Sequence, residues 1–261
     1  MTWLEEKKVA EIAAAKRLAV EVDHLTYTFP DGTTALREVS FQVEEQEKLM
    51  IIGRNGAGKS TLLLHLNGLL KGKGEIKIFG ETINKKNIKK IRAQVGLVFQ
   101  SPDDQLFMPR VLDEVAFGLF NGEKEPEVIE FKTKKILQNL GIAALAPKSP
   151  QQLSLGEKKK VSLATVLVLG PKVLVLDEPT SGLDPASRRW LINYLKNFNQ
   201  TIIAATHDLD FAWEIGSKIM LIDEGQKIAE GQKEEILSNR ELLEKHQLEV
   251  PLLYLLSKYQ S

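Results

Sequence analysis

The segment Gly53–Thr61 constrains the fold of this chain more than any other part of the sequence. It reads Gly-Arg-Asn-Gly-Ala-Gly-Lys-Ser-Thr and matches the phosphate-binding pattern G-x-x-x-x-G-K-[ST]. The apolar run Lys48–Ile52 predicts a buried strand directly before it, and Thr61–Leu66 predicts a helix directly after it. A strand, a glycine-rich turn and a helix in this order direct backbone N–H groups and a helix N-terminus at one anion. The sequence therefore predicts a nucleoside triphosphate site.

Two side chains of this loop have chemistry of their own. Lys59 supplies a mobile positive charge for a transferring phosphoryl group, and the hydroxyl of Ser60 is a suitable ligand for Mg²⁺. Kinases, GTPases, helicases and motors share such a loop, so the motif alone does not choose among them. The loop residues expected to contact the nucleotide are Gly53, Arg54, Asn55, Gly56, Ala57, Gly58, Lys59, Ser60 and Thr61.

A second apolar run, Lys172–Leu176, leads into two adjacent carboxylates, Asp177 and Glu178. Successive side chains of a strand point in opposite directions, so the two acids can take different tasks. We expect Asp177 to hold Mg²⁺ and Glu178 to orient and polarise the attacking water. A strand end with two solvated acids is the alternative, and it is the weaker interpretation beside a phosphate-binding loop.

Apolar runs that alternate with helical patterns predict an α/β fold with a mostly parallel sheet core, covered on both faces. The turn residues Pro30–Gly32, between the first two strand patterns, add an antiparallel β element. The strands are expected at Leu18–Phe29, Val39–Val43, Lys48–Ile52, Val95–Phe99, Val173–Leu176, Thr201–Ala205 and Lys218–Ile222.

We divide the chain into three parts. Residues 1–17 are expected to form an accessory helix, and residues 18–231 the main domain. Within that domain the region of about 102–165 breaks the strand and helix alternation, which predicts an inserted helical subdomain. Residues 232–261 are expected to form a C-terminal helical tail of two short helices, interrupted at Pro251.

Composition excludes several classes of function. The chain has 35 Lys and Arg residues against 35 Asp and Glu residues, so its formal net charge is zero, and no nucleic-acid partner is expected. It has no cysteine, which excludes a disulfide framework and a thiol nucleophile. Its four histidines lack metal-ligand spacing. No apolar run reaches the ~18–20 residues of a transmembrane helix, so we expect a chain that stays inside the cell.

Further motifs resemble those of the ATP-binding cassette (ABC) ATPases, and together they extend from about Leu18 to Gly231. Leu153–Glu157 resembles the signature of that family, L-S-G-G-Q, although Leu155 and Glu157 replace the first glycine and the glutamine. The other residues that carry the resemblance are Gln100 as the Q-loop glutamine, Asp184 in a D-loop-like Ser-Gly-Leu-Asp, and His207 as the switch histidine.

The resemblance implies that two ATPase subunits sandwich two ATP molecules, each with Mg²⁺, in a head-to-tail homodimer or heterodimer. Signature residues Ser154, Gly156 and Glu157 would face the γ-phosphate bound by the other subunit. His207 would contact the γ-phosphate and Asp184 would relay between the two sites. Intact Glu178 and His207 argue against a regulator without turnover.

The same resemblance assigns roles around the nucleotide. Gln100 would join Lys59, Glu178 and His207 in catalysis, and would hold Mg²⁺ together with Ser60 and Asp177. An aromatic side chain would stack on the adenine, because an aromatic face accepts a base. Phe29 is the first candidate, since it lies nearest the turn, and Tyr27 is the alternative.

The segment Gln100–Phe107 resembles the F-Q-x-P-x-x-Q-L-F segment of energy-coupling-factor ATPases, and Leu155–Lys159 and Leu248–Pro251 also resemble that class. The class drives uptake of cobalt, nickel and water-soluble vitamins. The resemblance implies a peripheral subunit at the cytoplasmic face of the cell membrane, with an integral membrane coupling subunit and a substrate-capture membrane subunit as partners. Cobalt or nickel is our first interpretation. A vitamin importer of the same class and a soluble non-transport ABC ATPase are the alternatives.

Overall fold

The protein is described by a computed structural model that covers residues 17–122 and 125–258. The accessory helix expected within residues 1–17 therefore lies, apart from Arg17, outside the described residues. The strands are β1 (Leu18–Thr28), β2 (Thr34–Glu44), β3 (Lys48–Ile52), β4 (Lys73–Ile78), β5 (Glu81–Thr82), β6 (Val95–Val98), β7 (Val173–Asp177), β8 (Thr201–Thr206), β9 (Lys218–Asp223) and β10 (Gln226–Gln232). The helices are α1 (Lys59–Leu66), α2 (Ile88–Gln94), α3 (Val111–Phe117), α4 (Pro126–Asn139), α5 (Leu155–Leu167), α6 (Pro185–Lys196), α7 (Leu209–Ile215), α8 (Lys233–Leu237), α9 (Arg240–Lys245) and α10 (Leu252–Ser257).

The larger sheet has six strands in the order β10-β9-β3-β8-β7-β6. Its pairings are parallel from β9 through β6, and only the edge strand β10 is antiparallel to its neighbour. All residues of β6 and β8 are buried, as continuous apolar runs predict for a parallel sheet covered on both faces. The expected mostly parallel α/β core is confirmed.

Strand register brings the expected site to one edge of this sheet. Ile52, the last residue of β3, pairs with Thr206 at the end of β8, and Asp177 at the end of β7 pairs with Ala205. The phosphate-binding loop, the two carboxylates and His207 therefore all follow the carboxyl ends of neighbouring parallel strands. Ligands of open α/β sheets bind at such an edge.

The expected antiparallel element is a four-stranded sheet in the order β2-β1-β4-β5. Sequence patterns missed β4, β5 and β10 because their residues are mostly exposed or half-buried, so no apolar run marks them. The strand expected at Val39–Val43 is longer and begins at Thr34.

Helices α3, α4 and α5 lie between β6 and β7, where the helical insertion was expected. Val115, Leu137 and Val161 of these helices belong to the same buried cluster as Leu174 and Leu176 of β7. The helical region therefore packs onto the parallel sheet. Its division at about 102–165 stays a prediction, and α5 continues to Leu167.

The tail differs from the two short helices expected after residue 231, because its described part, which ends at residue 258, forms three. The side chain of Asn239 accepts a hydrogen bond from the backbone N–H of Leu242 and so starts a new helix between α8 and Pro251. The tail packs on the main domain, where the backbone N–H of Leu253 donates to Asp210 Oδ1 at 2.9 Å. Within the described ranges, no helix has the length and hydropathy to cross a membrane.

Candidate active site

The phosphate-binding loop folds around the Lys59 ammonium. Gly58, at the start of α1, has φ of 101°, and a Cβ there would lie 2.5 Å from the carbonyl oxygen of Ala35. Only glycine fits this position without a shift of the backbone. Lys59 is 5% exposed, and its Nζ donates to the carbonyl oxygens of Gly53 at 2.8 Å and Arg54 at 3.0 Å. The ammonium is thus held inside the loop that was predicted to bind phosphate.

Ser60 and Asp177 meet beside this loop. The hydroxyl of Ser60 donates to Asp177 Oδ1 at 3.0 Å, which joins the first turn of α1 to the end of β7. Burial raises the pKa of Asp177 above its usual range, and the bond from Ser60 opposes that rise. A hydroxyl and a carboxylate are oxygen donors of the kind that Mg²⁺ prefers, so the residues present fit this cation.

Glu178 lies between two nitrogen-bearing side chains. Its Oε1 is 3.6 Å from Lys59 Nζ, and its Oε2 is 2.8 Å from His207 Nδ1. The backbone N–H of His207 also donates to Oε2 at 3.3 Å. Glu178 is buried and has φ of 43°, which is uncommon for a residue other than glycine. The carboxylate is therefore held in one place at the mouth of the loop.

Lys59, Ser60, Glu178 and His207 line one cavity of about 510 Å³, and Asp177 lies behind Ser60 without lining it. This volume is within the range of small-molecule sites, ~300–1,000 Å³. The predicted residues that line it are Phe29, Asn55, Gly56, Gly58, Lys59, Ser60, Thr61, Gln100, Glu178 and His207.

Of the two aromatic candidates for adenine, the structure brings only Phe29 to this cavity. Tyr27 is half-buried, and its ring packs edge to face against Phe29 at 5.0 Å and against His65 at 4.8 Å. Gly53, Arg54 and Asn55 line an adjoining cavity of about 520 Å³, which His207 also borders. Ala57, although part of the loop, is buried and lines neither cavity.

The signature-like residues lie apart from the cavity, at the start of α5. Ser154 caps this helix: its Oγ accepts from the backbone N–H of Glu157, and its backbone N–H donates to Glu157 Oε2 at 2.9 Å. Hydrogen bonds from Ser154 hold the pKa of Glu157 below its usual range. Gly156 is buried, and a Cβ there would lie 2.3 Å from Ser187 Oγ. Leu155 is exposed. In place of the family glutamine, Glu157 therefore completes a capping box.

Asp184 is likewise not part of the cavity. It caps α6 through Oδ1, which accepts from the backbone N–H groups of Ala186 and Ser187 at 2.9 Å each. Its Oδ2 accepts from Ser187 Oγ at 2.6 Å, and the bonds from Ser187 lower the pKa of Asp184. The relay between two sites stays a prediction.

Sequence reasoning missed Lys159. Its Nζ donates to the backbone carbonyl oxygens of Glu178 at 2.9 Å and Pro179 at 3.1 Å. Burial lowers the pKa of Lys159 to about 8. A sequence signal existed, because Lys159 is three residues after buried Gly156 and four before buried Leu163, on the inward face of α5.

Reasoning from the motifs also missed the group around Asp208. Arg188 of α6 donates to both carboxylate oxygens of Asp208, from Nε at 3.0 Å and from a terminal nitrogen at 3.1 Å. Thr180 Oγ1 donates to Asp208 Oδ2 at 3.0 Å. This bidentate ion pair joins helix α6, which Asp184 caps, to the segment that contains His207.

Comparisons with known proteins agree with one another in matching this chain to ABC transporter ATP-binding proteins. The sequence profile of the family described as ABC transporter matches residues 36–181. The energy-coupling factor transporter ATP-binding protein EcfA of Carboxydothermus hydrogenoformans is 47% identical over 240 residues, which cover 90% of this chain and 88% of that protein. The EcfA protein of Methanosphaera stadtmanae is 42% identical over 238 residues, covering 89% of this chain and 86% of that protein.

Two solved structures have similar folds. The structure of CbiO1 from Clostridium perfringens, titled as part of the ABC transporter complex CbiONQ, superposes with a TM-score of 0.78 at 37% identity. The superposition covers 93% of this chain and 100% of the CbiO1 chain. The dimeric, post-hydrolysis structure of the ATP-binding cassette MJ0796 bound to ADP and Pi has a TM-score of 0.75 at 27% identity, covering 82% of this chain and 98% of that one.

Proposed function

The chain belongs to the ABC transporter family, as an ATPase of the energy-coupling-factor type, and we propose that it powers an importer of cobalt or nickel ions. The observation that carries the catalytic part is the meeting of Lys59, Glu178 and His207 in one cavity beside Ser60 and Asp177. The likeness to CbiO1, titled as part of the ABC transporter complex CbiONQ, supports the transport role. The signature variant Leu155–Lys159 and the tail segment Leu248–Pro251 resemble the metal-importing branch more than vitamin importers.

ATP would enter the cavity with its adenine on Phe29 and its phosphates in the loop. The backbone N–H groups of the loop and the N-terminus of α1 favour the phosphate charge. Lys59 would exchange its two carbonyl acceptors for phosphate oxygens, because its ammonium already lies within the loop. Mg²⁺, held by Ser60, Asp177 and Gln100, would neutralise charge on the phosphoryl oxygens when bound.

Glu178 would orient and polarise the attacking water. Its carboxylate is fixed between Lys59 and His207, so little reorganisation is needed when water arrives. His207 has about half of its side chain exposed, which leaves part of the ring free to contact a γ-phosphate. Attack of this water on the γ-phosphate, in line with the leaving oxygen, would depend mainly on positioning and on stabilisation of charge.

The second half of each site would come from a second ATPase subunit, of the same or a different chain. Ser154, Gly156 and Glu157 do not line this chain's own cavity, so they are available to another subunit's nucleotide. The N-terminus of α5 would then add its partial positive charge to the partner's γ-phosphate. Asp184 would connect the two sites. ATP would stabilise the closed dimer, and hydrolysis would reopen it.

The membrane subunit would bind at the docking loop, which we define as Pro102–Met108. The loop is rigid because Glu114 Oε2 accepts from the backbone N–H groups of Phe107 and Met108 at 2.7 and 2.6 Å. Phe107 is 62% exposed, and its ring packs edge to face on that of Phe117 at 5.1 Å. Exposed aromatic rings on a fixed loop are typical of protein interfaces.

Gln105 connects the docking loop to the site. Its Nε2 donates to the carbonyl oxygen of Ser162 at 2.9 Å and to Thr165 Oγ1 at 2.8 Å, both on α5. The backbone N–H of Phe99, the residue before Gln100, donates to Gln105 Oε1 at 3.2 Å. A displacement of the loop would therefore reach the Q-loop and the signature helix together. The chain would act as a peripheral subunit at the cytoplasmic membrane face, beside the coupling subunit and a substrate-capture subunit.

Metal accumulation in the native source tests this function. Cells that lack the chain should lose most ATP-dependent uptake of cobalt or nickel, because the remaining membrane subunits have no motor. The wild-type chain should restore uptake, whereas Lys59→Ala should not. Uptake of a water-soluble vitamin that depends on the chain, with unchanged metal uptake, would overturn the metal assignment and leave the ATPase function intact.

A further inference from the structure

The backbone of the turn that carries Glu178 is bound by the side chain of Lys159, which belongs to another element. Glu178 has φ of 43°, in the left-handed region that side chains other than glycine rarely adopt. Its carbonyl oxygen and that of Pro179 both accept from Lys159 Nζ, at 2.9 and 3.1 Å. Hydrogen bonds to a charged donor are roughly twice as strong as neutral ones. The ammonium therefore fixes two successive peptide groups of the turn.

Lys159 reaches this turn from α5, the helix that begins immediately after Ser154. The helix is seated against α6 through Gly156, where a Cβ would lie 2.3 Å from Ser187 Oγ. A shift of the signature end of α5 would therefore move the Lys159 ammonium relative to Glu178.

We propose that Lys159 is a positioning residue, which holds the Glu178 turn in its catalytic conformation and transmits movement of the signature helix to that turn. The inference rests on the proposed role of Glu178 as the group that polarises water. Among the described hydrogen bonds, the Pro179 carbonyl oxygen would lose its donor without the ammonium, and the Glu178 carbonyl oxygen would keep only the Ser181 N–H at 3.2 Å. The left-handed conformation of Glu178 would thus lose part of its support. The phosphate-binding loop makes no contact with Lys159 Nζ among the described hydrogen bonds, so the effect concerns turnover and not ATP binding.

The test compares Lys159→Met, Lys159→Arg and Lys160→Met in steady-state ATPase assays. Methionine keeps the length and apolar stem but removes the donor, and we expect kcat to fall about tenfold, which corresponds to ~1.4 kcal/mol. KM for ATP should stay within about twofold. Arginine can donate to two carbonyl oxygens and should recover most of the loss. Lys160, whose ammonium lies over the Trp190 ring, is the matched control and should keep wild-type kcat.

A double variant separates this role from general stability. If Lys159 acts through Glu178, adding Lys159→Met to Glu178→Gln should lower the residual rate by less than about twofold, since effects that share one route are not additive. An equal fall in both backgrounds, or an unchanged kcat in Lys159→Met, would overturn the inference. Failure of Glu178→Gln itself to lower turnover would instead overturn the proposed function. Should Lys159→Met not fold, Lys159→Gln, with a shorter donor, replaces it and should give an intermediate kcat.

Discussion

Glu178→Gln is expected to lower ATP turnover by roughly 10²–10⁴-fold, the usual contribution of a positioned general base. In the wild type, Lys59 Nζ and His207 Nδ1 lie 3.6 and 2.8 Å from the Glu178 carboxylate oxygens. The amide of glutamine has the same size and can still contact both side chains. It lacks the negative charge that polarises water. The cavity and the phosphate-binding loop are unchanged, so ATP should still bind.

The same variant should accumulate an ATP-bound dimer, because the step that reopens the dimer is blocked. Single-turnover hydrolysis and size-exclusion chromatography with Mg²⁺ and ATP, compared with ADP, measure the two effects. Glu224→Gln is a matched control, since Glu224 also has positive φ, at 47°, but lies outside the cavity. Turnover of Glu178→Gln equal to that of the wild type would remove Glu178 from its assigned role.

Lys59→Ala should weaken nucleotide binding by roughly 10- to 100-fold, since hydrogen bonds to charged groups contribute ~1.5–3 kcal/mol each. The ammonium lies inside the loop, where it donates to Gly53 and Arg54 and where the phosphates are expected. Its loss also leaves the buried Glu178 carboxylate without its cation at 3.6 Å. We therefore expect a lower thermal unfolding midpoint as well.

Equilibrium titration with a fluorescent ATP analogue measures the nucleotide affinity. Thermal unfolding without nucleotide measures the shift of the unfolding midpoint. Lys86→Ala is the matched control, because Lys86 is an exposed lysine outside the cavity. It should change neither quantity. Wild-type ATP affinity in Lys59→Ala would contradict the assignment of the phosphate-binding loop.

The parallel core could be predicted because its strands are continuous apolar runs, as in β7 and β8, which a sheet covered on both faces requires. Strands with exposed residues gave no such signal, so β4 and β10 were missed. The third tail helix was missed because its start depends on one side-chain cap, at Asn239, which a hydrophobic pattern does not reveal.

The placement of the site residues could be predicted where a strand leads into them, as β7 leads into Glu178 and β3 into the phosphate-binding loop with Lys59. The sequence favoured Phe29 over Tyr27 but left both open, because residues two apart in a strand share a face. The structure separates them, since Phe29 follows the end of β1 and lines the cavity, whereas Tyr27 packs against His65. Lys159 was missed for another reason. The helical pattern places it on the inward face of α5, but its contacts are with the backbone of a turn 19 residues away in sequence, which no side-chain motif marks.

Purification of the native complex tests the importer account most directly. The tagged chain would be isolated from detergent-solubilised membranes of its source, beside the variants Phe107→Ser and Ile228→Ser, and the bound proteins identified by mass spectrometry. Phe107 and Ile228 are both exposed apolar residues, but only Phe107 lies on the docking loop. We expect the wild type and Ile228→Ser to recover a polytopic coupling subunit and a metal-capture membrane subunit, and Phe107→Ser to lose most of both. Recovery of only ribosomal or chromosomal proteins would contradict the importer account, although the ATPase chemistry would stand.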